Sequence, residues 1–117
     1  MGAASPSLLP RVEEAVDRVV QMCFALPRHA AGQEIGRQVV RSAGSVGANL
    51  EEAKATLSRR EYTLKFSIAL REARETLYWL RRITNNQLLP PKRLENLKNE
   101  WNEIVSIMTT TQKKLRG

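Results

Sequence analysis

A chain of 117 residues, 42% hydrophobic and 26% charged, is sized for one domain hiding roughly 65% of its unfolded surface, and its balance argues against disorder beyond the ends. Nineteen Lys and Arg against twelve Asp and Glu leave a net charge of +7, which points to nucleic acid as the leading partner and says nothing of fold. No run approaches the ~18 apolar residues of a membrane span, Met1 to Pro10 lacks the features of a signal peptide, and the single Cys23 has no partner for an intrachain disulfide; a soluble cytoplasmic protein without a membrane partner is expected.

Residues 1–9, rich in Gly, Ala, Ser and Pro, read as a flexible N-terminal arm. Pro10 suits a first helical turn, and Val12, Ala15, Val16, Val19, Cys23 and Leu26 recur at helical spacing up to Pro27, which predicts a first helix over about 10–26. In that apolar setting Cys23 reads as a small hydrophobe rather than a nucleophile. The connection at 27–32 holds the only histidine, His29, and no second His or Cys is placed to complete a metal site or a nucleophile pair.

A second helix is expected over about 33–57, with Ile35, Val39, Ala43, Val46, Leu50, Ala53 and Leu57 on its core stripe. Its middle, Ser42 to Ala48, is a run of small residues in which each glycine costs ~1 kcal/mol relative to alanine. The run is neither a Walker-type loop nor a GxGxxG turn after a strand. The apolar period passes through it unbroken, so a continuous helix that another backbone approaches closely fits better. On its flank Arg41, Ser45, Ala48 and Glu52 line up at i, i+4, i+7 and i+11, with Asn49 beside them. Buried or interfacial charge must be paired, so Arg41 and Glu52 are expected to find partners on neighbouring helices, with Glu72 and Glu75 the candidates for the arginine.

Ser58 is an N-cap candidate with Glu61 at the capping-box position, which opens a third helix over about 59–86. One face of it, Tyr62, Phe66, Ala69, Leu70, Ala73, Leu77, Leu80 and Thr84, reads as core. A second carries Leu64, Ile68, Glu72, Glu75 and Trp79, whose apolar members call for a further surface, another subunit. A third carries Arg71, Arg74, Tyr78 and Arg81. Pro90 and Pro91 open a fourth helix over about 91–115, with Leu94, Leu97, Trp101, Ile104, Met108, Thr111 and Leu115 at heptad spacing. Short connections make consecutive helices antiparallel neighbours, so the fold class is all-α, an up-down-up-down four-helix bundle. Glu72 and Glu75 as an acid/base pair would need a cleft, and a di-metal bundle would need Glu-x-x-His pairs; a non-enzyme without metal or cofactor is expected.

Gln38 to Ala53, QVVRSAGSVGANLEEA, resembles the Q-hydrophobic-x-R-[SA]-A-x-S-hydrophobic-x-x-N-hydrophobic-x-E-G signature of the four helix bundle protein family. Ser67 to Leu80, SIALREARETLYWL, is similar to that family's S-I-A-x-x-E-A-x-E-T-x-Y-W-L. The family includes proteins encoded in intervening sequences of large-subunit ribosomal RNA genes and is related to the accessory variability protein of diversity-generating retroelements. The resemblance implies assembly into a pentameric barrel, a partly basic surface and, for some members, binding to nucleic acid and a reverse transcriptase. Ala53 stands where the family commonly has Gly, which leaves the path of the chain after Glu52 open.

Two functional readings follow. In the first, a non-enzymatic homo-oligomer binds RNA or DNA through backbone phosphates, using Arg71, Arg74, Arg81 and Arg82 around Tyr78, extended by Lys54, Arg59, Arg60 and Lys65. Its subunit contacts would involve Leu64, Ile68, Glu72, Glu75 and Trp79 with Arg41, Ser45, Asn49 and Glu52. In the second, the bundle is a protein-interaction scaffold, docking a partner such as a reverse transcriptase, or an intervening-sequence protein that does not touch nucleic acid itself.

Overall fold

The computed structural model describes residues 7–117, so most of the expected N-terminal arm, residues 1–6, lies outside the described residues. Four helices follow, α1 Leu8–Cys23, α2 Ala30–Lys54, α3 Arg59–Asn85 and α4 Pro91–Arg116, with no strand among the described residues. Helix α1 starts two residues ahead of Pro10 because Leu8 is itself buried in the core. It ends at Cys23 rather than Leu26. There the amides of Phe24, Ala25 and Leu26 turn back onto the carbonyls of Gln21, Met22 and Cys23, three residues behind, and the α register is lost.

Helix α2 begins three residues earlier than its apolar period suggests, because His29 caps it: the backbone is extended and Nδ1 accepts the Gly32 amide at 3.1 Å. It also stops earlier, at Lys54, where the Ala55 and Thr56 amides close onto Glu52 and Ala53 and the Thr56 hydroxyl donates to Ala53. Leu57, expected on the core stripe, is consequently 95% exposed in the connection. Ser58 must be extended to accept the Glu61 amide at 3.1 Å, and that requirement sets the end of α2 more than hydrophobicity does. Helix α3 closes in a Schellman turn, Leu88 N–H to the Ile83 carbonyl and Gln87 N–H to that of Thr84, with Gln87 at φ 56°. Ile83, absent from the expected core face, is fully buried, while Thr84 is half-buried and bonds back to the Leu80 carbonyl.

Each helix packs on two others, α1 on α2 and α4, α3 on α2 and α4, in a body of 45 × 20 × 20 Å, the arrangement of a four-helix bundle. All seven heptad positions of α4 are buried, and the largest fully enclosed side chains of the molecule, Trp101 and Leu94 from α4 with Phe66, Leu70, Leu80 and Ile83 from α3, form the core. One polar pair sits inside: Thr76 Oγ1 lies 2.9 Å from Ser42 Oγ across α2 and α3.

The small-residue run is helical throughout, but its glycines are not used inside the chain. A Cβ on Gly44 would meet nothing within 4 Å, and one on Gly47 only Val16 Cγ2 at 3.8 Å. Both open onto a shallow groove of about 580 Å³ between α1 and α2, edged by Glu13, Asp17 and Glu51. Gly32 is different: a Cβ there would lie 2.1 Å from the Pro27 carbonyl oxygen. Among the described residues no helix is long and apolar enough to cross a membrane.

Candidate nucleic-acid interface

Helix α3 presents two outward strips, and its packing decides which charges each has to spare. Toward α2, Arg41 Nη1 donates to Glu72 Oε1 at 3.3 Å and Nη2 to Glu75 Oε2. The Trp79 indole N–H donates to the same Glu75 oxygen at 3.0 Å, and Arg41 Nε reaches Gln38 at 3.4 Å. The Trp79 hydrogen bond and then that of Arg41 hold the Glu75 carboxyl below its ordinary range, and the carboxylates raise Arg41 in turn. Further along, Asn49 Nδ2 donates to the Ser45 carbonyl at 2.8 Å, and Lys65 pairs with Glu52 at 2.7 Å. The residues expected at a subunit contact thus lie along one α2–α3 strip. Its charges are paired within the chain, while Leu64 is 61% exposed and Ile68 half-buried.

The second strip faces outward and toward α4. Arg74 Nη2 donates to Thr109 Oγ1 at 3.3 Å and Gln112 to Ser67 at 3.0 Å, which fixes the register of the two helices. Arg60, Arg71, Arg74, Tyr78 and Arg81 share this side at helical spacing and are all exposed. The Arg82 guanidinium sits 5.1 Å from the centre of the Tyr78 ring, and Trp79 meets that ring edge-on at 4.9 Å and 77°. Arg82 Nε is buried with no hydrogen-bond partner, and Arg60, Arg71 and Arg81 make no ion pair among the described residues.

Three other candidate cations are committed elsewhere. Lys65 is held by Glu52, and Lys54 by Glu51 at 3.3 Å. Arg59 Nη2 donates to the carbonyls of Lys114 and Leu115, 3.4 and 3.2 Å away, and so caps the C-terminus of α4. Conversely, Lys98 and Arg116 stand eleven residues before and seven after Thr109, on the α4 edge that borders the strip. Lys98 is missing from the sequence-based set because only the α3–α4 register brings it there.

The charge is unevenly spread. Helix α3 holds seven Lys and Arg against three Glu, and α4 six against three. Helix α1 holds two against three acidic residues, and α2 three against three. The excess of the whole molecule therefore sits on α3 and α4, while the α1–α2 side is close to neutral. A separate open cleft of about 690 Å³ at the α1–α2 connection contains Cys23, whose thiol burial pushes up to about 11, so it is no ready nucleophile.

A family model described as 23S rRNA-intervening sequence protein matches residues 9–110. Among solved structures, the chain is similar to a protein of unknown function from the S23 ribosomal protein family of Bacteroides thetaiotaomicron, with 29% identity and a TM-score of 0.80 over 91% of this chain and 95% of that one. No curated protein matches the chain. With the match running from the first turn of α1 to within six residues of the end of α4, the chain belongs to the 23S rRNA intervening-sequence protein family.

Proposed function

We propose that this protein is a non-enzymatic, homo-oligomeric nucleic-acid-binding protein that holds RNA or DNA by its phosphates on the α3–α4 side. The observation that supports this reading is the segregation of charge: the excess lies on two adjacent helices, with Arg60, Arg71 and Arg81 free of carboxylate partners. Phosphate contacts from such a face supply affinity with little sequence preference. The Leu64, Ile68 and Trp79 strip is turned roughly 100° away around α3, so subunit contact there leaves the arginines available. Assembly would repeat the basic face and raise avidity; five copies is the number that the family resemblance implies. A reverse-transcriptase partner finds no support in these features.

Binding to structured RNA and duplex DNA across a salt series tests the proposal. Affinity should fall steeply as salt rises, and a triple Arg71→Gln, Arg74→Gln, Arg81→Gln variant should lose roughly one unit of log–log salt slope for each phosphate contact removed. Absence of binding at low salt, or a slope unmoved by the triple variant, would sink it.

A further inference from the structure

We infer that the Tyr78 ring is a stacking platform for an unpaired base, so that the basic face selects single-stranded or looped nucleic acid over duplex. This rests on the phosphate-binding reading above and adds to it a class of ligand. The first ground is placement. Tyr78 is 48% exposed in the middle of the arginine strip, with Arg74 four residues before it and Arg81 three after, the spacing that puts all three on one side of α3. From Arg71 to Arg81 the strip runs roughly 15 Å at ~1.5 Å per residue, enough for a few consecutive nucleotides.

The second ground is that the ring is held and not yet satisfied. Trp79 fixes it edge-on, and Arg82 lies against it as a cation on a π system. That guanidinium has no carboxylate: Arg82 makes no ion pair among the described residues, and its Nε has no hydrogen-bond acceptor. A fixed aromatic ring beside an unanswered guanidinium matches a nucleotide part by part. The base lies on the exposed part of the ring, while the flanking phosphates meet Arg74, Arg81 and Arg82. In a duplex the bases are already stacked on one another, so no base face is free for the ring and the phosphate contacts alone remain common to both ligands.

The test compares, by fluorescence anisotropy, oligouridylate, single-stranded DNA and a fully paired RNA duplex of equal phosphate count, using wild type, Tyr78→Ala and Tyr78→Phe. The wild type is expected to bind the unpaired strands more tightly than the duplex. Tyr78→Ala should weaken the unpaired strands about fivefold or more while leaving the duplex within twofold, and Tyr78→Phe should retain the preference. Trp79, in contact with the ring, should change its emission when oligouridylate binds wild type and not when the duplex does. Thermal melting of both variants controls for folding, which a half-exposed ring should scarcely affect. Equal loss for all three ligands, or no loss, would overturn the stacking platform while leaving the phosphate face standing. No binding of any ligand at low salt would overturn both.

Discussion

Arg11 holds Glu100 with two parallel hydrogen bonds, Nε to Oε2 at 2.7 Å and Nη2 to Oε1 at 2.9 Å, with Glu103 a second carboxylate at 3.2 Å. The fork geometry sets it apart from the looser surface pairs, which contribute little. The Arg11 hydrogen bond is the main reason the Glu100 carboxyl lies below its ordinary range. A carboxyl depressed in the folded state adds stability above its unfolded value near 4.3, and that stability is lost as pH falls through the folded value. Glu75 moves the same way, through Trp79 and then Arg41. Glu100→Gln should therefore lower unfolding free energy at pH 7 by about 1 kcal/mol and flatten the decline in stability below about pH 5, measured by urea melts over a pH series. The Arg41 cluster is legible in sequence because its partners share the helix face that must pair an interfacial charge. The Arg11 clasp is not, since its residues stand 89 apart and meet only through the register of α1 against α4.

At the level of the element, helix interiors follow from periodicity and helix ends follow from caps. The heptad of α4 reads directly from sequence because every position in it is decided by the same buried side. Leu57 satisfies the period of α2 equally well and is exposed, because a stripe does not record where the backbone stops; Ser58 does, through its extended cap. His29 likewise starts α2 through a ring nitrogen, an N-cap outside the usual Ser, Thr, Asp and Asn signal. The two kinds of glycine in α2 give opposite expectations. Gly44→Ala should raise the unfolding free energy by up to ~1 kcal/mol, because the added methyl meets open space and the helix gains propensity. Gly32→Ala should lower it by about 1–3 kcal/mol, because its methyl would strike the Pro27 backbone. Chemical denaturation of the two variants checks both, and equal shifts would remove the distinction.

For the whole molecule, the topology is legible because connections this short leave antiparallel neighbours as the only layout, whereas the charge segregation needs the fold to bring α3 and α4 side by side. The same packing separates eight candidate phosphate-binding cations into five that face outward or lie against Tyr78 and three spent on Glu51, Glu52 and the α4 terminus. The proposed assembly is tested at Leu64. Wild type should run by light scattering as a multiple of 13.2 kDa, and Leu64→Asp should shift it to smaller species. An unchanged mass would take this strip out of the subunit contact.

Helix α1 carries a different kind of consequence. With 16 residues it is the shortest of the four, it lies on a shallow groove floored by glycines, and Glu13 and Asp17 face Glu51 across that groove. Its attachment rests on one buried stripe and the Arg11 clasp, while α2 and α3 share the most extensive packing in the molecule. Cooperative units of unequal strength open separately. Native-state hydrogen exchange should show the amides from Val12 to Val19 exchanging through an opening that costs less than global unfolding, while those around Leu70 to Leu80 exchange only when the entire chain unfolds. Glu100→Gln should speed exchange in α1 first, so that the bundle behaves as a three-helix body carrying a detachable fourth.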